Sequence, residues 1–356
     1  MASNGVIGAG RQGSQPVTVA GIGEHALIER IRARVPRPPA SVVVGIGDDA
    51  AVVEPDRNAL EVITTDGLVE GVHFDQTFVG PADVGYKALA VNLSDLAAMG
   101  ASPRLAVLSL LLPPTWPVAH VDALMDGFLA LAERFHVALV GGNISRSPGP
   151  LVADVTAIGA VHRRRVLTRG GARPGDELYV TGSIGAAAAG LGLLRAAALA
   201  GRATAAESSD PGRAGCARRY LRPEPQVRFG VLLGRNRAAR ACVDLSDGLA
   251  DGVRQLARAS GLGAVIDADA IPIDRWARRW FEDSGLSPVD AALRGGEDYE
   301  LLFAVSPKER KRLGAVQRLM KNVIVTGIGR LTADPALVVT RAGRIESLAD
   351  GFTHFG

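Results

Sequence analysis

The chain has 356 residues, of which 47% are hydrophobic, 22% charged and only 4% aromatic, and its formal net charge is +3. That is enough apolar material for two domains of ordinary size, and the composition is not that of a disordered chain. The dispersed basic residues, clustered only at Arg163 to Arg165, argue against nucleic-acid binding; just four of the 40 basic residues are lysines (Lys87, Lys308, Lys311 and Lys321), so lysine-dependent chemistry has few places to sit.

The first 20 residues are rich in Gly, Ser and Gln and lack a charged start followed by an apolar core. They read as a flexible tail rather than a signal peptide. No apolar run reaches the roughly 18 to 20 residues of a membrane span, so no membrane partner is expected and the cytoplasm is the expected compartment. A helix is predicted over 24–33, closed by the proline-rich 36–39. Strand-like runs follow at 41–44, 50–53 and 60–64. Helical spacing over 83–99 ends at Gly100, a suitable C-cap. A strand at 105–112, a helix at 117–135 and strands at 137–140 and 151–161 complete the first half. The basic, then Gly- and Pro-rich stretch 162–176 reads as a boundary, giving units 21–165 and 166–356. In the second unit the pattern predicts a strand at 177–181, a helix at 186–200, a polar loop at 204–213, a strand at 241–243 and a helix at 247–259. Strands at 264–266, 299–305 and 323–328 and a hairpin turning at Ala342-Gly343 follow. The fold class is α/β (α+β), with two mixed domains.

Acidic residues beside glycines recur where apolar runs end: Asp48-Asp49 in SVVVGIGDDAAVV, Asp66 in LEVITTDG, Asp244 and Asp247 in CVDLSDG, and Glu297-Asp298 in GGEDYELLF. Each alone is compatible with a turn or a helix cap. Asp95 is different, because it sits within a helical pattern beside Leu93, Leu96, Ala97 and Met99. Burying that carboxylate unpaired would cost several kcal/mol, so it calls for a cation or a partner, with Lys87 two turns away as the structural choice. Several such aspartates brought together would repel unless a divalent ion neutralised them. An oxygen-only donor set fits Mg²⁺ or Mn²⁺ better than Zn²⁺. Cys216 and Cys242 supply neither a disulfide framework nor a zinc site. No Walker A or dinucleotide fingerprint occurs, so bound phosphates would depend on carboxylate-held metal. Arg169 in LTRGG is compatible both with a direct phosphate contact and with a solvated loop arginine.

Taken together, GIGDDAAVV, TTDGLVEGVHF, YKALAVNLSDLAAMGA, LTRGGARPGD, DLSDG, GGEDYELLF and the terminal GFTHF resemble the thiamine-monophosphate kinase family, within the aminoimidazole ribonucleotide synthetase-like superfamily, over residues 20–356. The resemblance implies ATP-dependent, Mg²⁺-dependent phosphorylation of thiamine monophosphate to thiamine diphosphate. It implies that Asp49, Asp66, Asp95, Asp244 and Asp247 form the catalytic cluster, and that several Mg²⁺ ions are held by these five with Thr64, Thr65 and Asn143. ATP would meet Gly142, Asn143, Arg169 and Ser246, and thiamine monophosphate would meet His73, Glu297 and Phe352. It further implies a homodimer in which N-terminal-domain strands form a shared barrel. The chain departs from the family at Gly141-Gly142-Asn143, where many relatives carry GGD; Asn143 keeps an oxygen but no charge. Read without the resemblance, His73 fits a core histidine, Glu297 a turn and Phe352 ordinary core. A non-catalytic Mg–ATP-binding regulator is the contrasting reading, separated from the kinase by ADP release that depends on thiamine monophosphate.

Overall fold

The structure, a computed structural model, describes residues 16–201, 206 and 208–348. Helices α1 (Val19–Ile22) and α2 (Glu24–Arg34) lead into an antiparallel ribbon of β1 (Val42–Val44) and β2 (Val52–Val53). There follow β3 (Leu60–Val69), α3 (Pro81–Ala98), β4 (Ser102–Leu112), α4 (Val118–Phe135), β5 (Ala138–Arg146) and β6 (Val152–Val161). Their strands form a sheet in the order β3-β6-β4-β5. The chain is already docked before position 21: Thr18 bridges to Pro117, and Val19 and Ile22 pack on the core.

The second half contains β7 (Glu177–Thr181), α5 (Ala186–Leu199), α6 (Pro211–Leu221), α7 (Val227–Asn236), β8 (Ala241–Asp244), α8 (Leu249–Ser260) and β9 (Gly263–Asp267). It continues with α9 (Arg275–Asp283), α10 (Pro288–Arg294), β10 (Leu301–Val305), α11 (Arg310–Leu319), β11 (Val325–Thr332), β12 (Leu337–Arg341) and β13 (Arg344–Ser347). The strands assemble as β13-β12-β9-β11-β7-β10-β8, antiparallel except for the β9–β12 pair. The architecture is mixed α/β, as expected, and among the described residues neither sheet closes into a barrel.

Two local differences from the sequence pattern have clear causes. Helix α6 starts inside the stretch expected to be loop, because Asp210 accepts from the backbone N–H of Gly212 at 2.9 Å and Pro211 opens the first turn. Strand β5 runs past residue 140 through Gly141, Gly142 and Asn143, paired in parallel with β4. The two backbones approach so closely that a Cβ on Gly142 would come within 2.0 Å of the Leu108 carbonyl oxygen.

Helix α3 organises the molecule. Nearly every residue from Val84 to Ala98 is buried, as expected of a helix that is apolar on all sides. It packs on β3, β6 and α4 from its own half and on β8 and α7 from the other. Three of the polar residues it carries, Lys87, Ser94 and Asp95, are thereby delivered to the joint between the two sheets.

Candidate active site

A cleft of about 410 Å³ opens at this joint, lined among others by Thr64, Asp95, Met99, Arg169 and Asp244. The pleat of β3 decides which of its side chains take part. Thr64 and Asp66 pair with Ala157 and Val155 of β6, on the face covered by α3. The Thr64 hydroxyl donates to Asp95, whose charge acts on Asp66. Thr65 points to the other face, where its hydroxyl bonds Asp154 at 3.2 Å. At the end of β8, Asp244 is only 7% exposed and accepts from the Ser94 hydroxyl at 2.8 Å. Ser246 donates to Asp247 at 2.9 Å in the turn that follows.

The carboxylates strain against one another. Asp66 is pushed up to about 7, by burial and then by the charges of Asp95, Asp247 and Asp154. Its side chain still reaches solvent, so water screens part of that push. Asp244 is also pushed up to about 7, by burial and then by Asp95, against the Ser94 hydroxyl and the Arg169 charge. Burial raises Asp95 too, opposed by the Thr64 hydroxyl and Arg169. Arg169 is the cation this cluster has drawn in.

Beside the cleft lies a second polar group. The loop Gly295 to Glu300 folds back on the turn after β8: the N–H of Glu297 donates to the Ser246 carbonyl at 2.6 Å and that of Tyr299 to Leu245 at 3.0 Å. Gly296 has to be glycine, since a Cβ there would lie 2.2 Å from the Ser246 oxygen. Glu297 and Tyr299 adopt left-handed φ values of 70° and 51°, a conformation costly for non-glycine residues and concentrated at functional sites. The Glu297 carboxylate takes the buried ammonium of Lys87. Lys87 in turn lies 3.8 Å from the centre of the Tyr220 ring, and the Tyr220 hydroxyl donates to the His73 carbonyl at 2.9 Å.

The structure thus lines one cleft with Thr64, Asp95, Arg169 and Asp244; Asp66 and Asp247 act on this cluster through their charges, Ser246 bonds Asp247, and His73 and Glu297 belong to the adjoining group. It does not bring Asp49, Thr65, Gly142 or Asn143 to the lining of that cleft. Asp49 is exposed between β1 and β2, where its N–H bonds the Asp48 side chain at 2.9 Å. Asn143 donates to Ser145 at 3.0 Å. It shares a cross-sheet row with Ser109 and Asp154, two strand spacings (about 10 Å) from the latter. Phe352 lies outside the described residues. The expected pairing of Asp95 with Lys87 is corrected: eight residues separate them by about 12 Å along the helix axis, and Lys87 meets Glu297 instead. Asp154 joins the charges around Asp66 without any sequence signal, since one acidic residue on the outer face of an alternating strand is unremarked. A larger cleft, about 700 Å³, lies elsewhere, lined by Arg134, Arg228 and Glu300 among others. It gathers no aspartate cluster.

The donor set fits Mg²⁺. All the groups are oxygens, and their mutual repulsion is what a divalent cation relieves. Among the described residues no three His, Cys, Asp or Glu side chains form a ready cage for an ion. That suits a metal that keeps several waters and takes other ligands from substrate phosphates. A pH dependence follows. Asp66 and Asp244 titrate higher in the fold than the usual value near 4, so the metal-free fold is favoured by their protonation below that value and loses this contribution as pH rises through about 7. A Mg²⁺ ion held by these carboxylates would have to displace those protons below pH 7 but not above it. The thermal-unfolding midpoint should therefore rise more on adding Mg²⁺ at pH 8 than at pH 6; calorimetric scans at the two pH values check this, and an equal shift would contradict it.

Known proteins place the chain clearly. Residues 47–161 match the family described as AIR synthase related protein, N-terminal domain, and residues 173–341 its C-terminal domain counterpart. Thiamine-monophosphate kinase of Salmonella typhimurium is 41% identical over 314 residues, covering 88% of this chain and 91% of that protein. The crystal structure of thiamine-monophosphate kinase from Stenotrophomonas maltophilia superposes with a TM-score of 0.77 at 38% identity, over 91% of this chain and 96% of the other. AaThiL complexed with AMPPCP and TMP gives a TM-score of 0.73 at 32% identity, over 94% and 97%. With its aspartates converging beside a strained GGEDYEL loop, and with this identity running nearly end to end, the chain belongs to the thiamine-monophosphate kinase family.

Proposed function

We propose that the protein transfers the terminal phosphate of ATP to the phosphate of thiamine monophosphate, giving thiamine diphosphate and ADP. The observation that carries this reading is the convergence of Asp95, Asp244 and Arg169 in one cleft, with the Asp66 charge acting on Asp95 beside it, next to a separate group built on Glu297. An oxygen of the thiamine phosphate attacks the γ-phosphorus, and the bond from that phosphorus to the β-bridging oxygen breaks, releasing ADP. Both partners are anionic: two unit charges 4 Å apart repel by about 4 kcal/mol at an effective dielectric near 20. Asp66, Asp95, Asp244 and Asp247 would hold Mg²⁺, which supplies the neutralising charge on the phosphate oxygens. Arg169 would meet a phosphate directly, and Ser246 would hold Asp247 in place for it. The attacking phosphate is already deprotonated, so the residues need only position it. His73 and Glu297, with Phe352, would receive the thiamine portion.

The same reading includes division of the chain into a tail (1–20), an N-terminal ATP- and Mg²⁺-binding domain (21–165) and a C-terminal domain (166–356), action in the cytoplasm, and homodimerisation through N-terminal strands. Val43, Val52 and Ile63 are exposed on that side and support an association there. No helix among the described residues is long and apolar enough to cross a membrane. The test is an assay of thiamine diphosphate and ADP from ATP and thiamine monophosphate, with and without Mg²⁺. Equal amounts of both products, only with Mg²⁺, are expected; ATP binding without ADP release would favour the regulator.

A further inference from the structure

Lys87 is the large buried side chain that the transfer reaction leaves unexplained. It is 1% exposed on a largely buried helix, and burial pushes its ammonium towards the neutral form while the Glu297 carboxylate holds the charge. A buried charge is tolerated where a partner compensates it. Here the compensation comes from 210 positions away, with the Tyr220 ring beneath the ammonium as a second support. Glu297 is consequently fixed at both ends: its backbone is tied to the turn after β8, and one carboxylate oxygen, Oε2, is tied to α3. The other oxygen, Oε1, accepts no hydrogen bond among the described residues, and the side chain is 25% exposed. The helix that carries Lys87 also carries Asp95 two turns on, so one rigid element sets both the transfer centre and the carboxylate beside it.

We propose that Lys87 is a positioning residue for substrate recognition: it orients Glu297 so that the free carboxylate oxygen faces the cationic ring system of thiamine monophosphate, in register with the phosphate at Asp95. This rests on the assignment of Glu297 to the thiamine portion. Lys87 itself touches no substrate, and its whole effect runs through Glu297. Specificity for a cationic acceptor then depends on a contact between the two halves of the chain that ATP binding does not use.

The test is steady-state kinetics on full-length Lys87→Met, Glu297→Gln and the neutral pair Lys87→Gln/Glu297→Gln, each with its unfolding midpoint. Glu297→Gln and Lys87→Met should each raise KM for thiamine monophosphate roughly 10- to 100-fold, the usual effect of losing an orienting partner, with KM for ATP unchanged. The neutral pair leaves no lone buried charge and keeps the proposal testable if Lys87→Met does not fold. Its KM should equal that of Glu297→Gln alone. A raised KM in Glu297→Gln with a normal one in folded Lys87→Met would overturn the role of Lys87 and leave the assignment of Glu297 standing. A further large rise in the neutral pair would also overturn it, since Lys87 would then act independently of Glu297. No change in any variant would remove the assignment of Glu297, and the proposal with it.

Discussion

Asp95→Asn should abolish most phosphoryl transfer while making the metal-free protein more resistant to unfolding at pH 8. The amide is nearly the size of the carboxylate and can still accept from the Thr64 hydroxyl, so the packing of α3 is kept. The charge is what disappears. The Asp95 charge helps raise the titration of both Asp66 and Asp244. Removing it relieves repulsion that is fully present only above about pH 7, where both neighbours are ionised. The same repulsion is the site's attraction for a divalent cation. Loss of a single electrostatic stabiliser typically lowers turnover by about 10²- to 10³-fold, and a similar loss is expected here. Turnover and urea-unfolding midpoints of the two proteins at pH 6 and 8 check both halves. Full activity in the variant would sink the assignment of Asp95, and an unchanged midpoint at pH 8 would sink the account of the cluster as strained.

Arg219→Met should lower stability by about 3–5 kcal/mol, the usual cost of stranding one member of a buried ion pair. Arg219, on α6, donates to Glu300 at 2.6 Å and to the Asp298 carbonyl at 3.1 Å. Glu300 is 2% exposed, and its second oxygen accepts from Thr181 at 2.6 Å. Asp298, between the two left-handed residues, receives the N–H groups of Gly185 and Ala187 at the start of α5; burial pushes it up to about 6 against the pull of Arg219 and those N–H groups. The arginine thus clamps the strained loop from behind while Lys87 holds its Glu297 side chain in front. Burial already raises Glu300, with Arg219 opposing, so the variant's carboxyl moves higher still. A group raised in the fold stabilises at low pH and loses that contribution as pH rises, so the deficit should be larger at pH 8 than at pH 5. Urea unfolding at both pH values is the measurement, and a midpoint equal to that of the unaltered protein would refute the clamp.

Much of the molecule was legible in the sequence because helices, caps and strand ends are short-range matters. The helix at 83–99, the strands before Asp66 and Asp244, and the acidic turns beside glycine follow from periodicity and turn chemistry within a few residues. Helix α6 was hidden because its Asp210-Pro211 start lies in a polar stretch that reads equally well as loop. The site was legible as a set of acidic residues, but not as a geometry.

Residue types and local pattern determined that this chain carries aspartates at strand ends, one carboxylate inside an apolar helix, almost no lysine, and motifs of a single kinase family. Tertiary structure decided the rest. Pairing of β3 with β6 turned Thr64 and Asp66 towards Asp95 and Thr65 away, since a strand's faces have meaning only once one is covered. The packing of α3 on both halves gave Lys87 to Glu297 rather than to Asp95 and set Ser94 on Asp244. Sheet order left Asn143 on the far edge and brought in Asp154. The reason is that charges interact through space, and distances in space between residues far apart in the chain are fixed by strand register and helix packing.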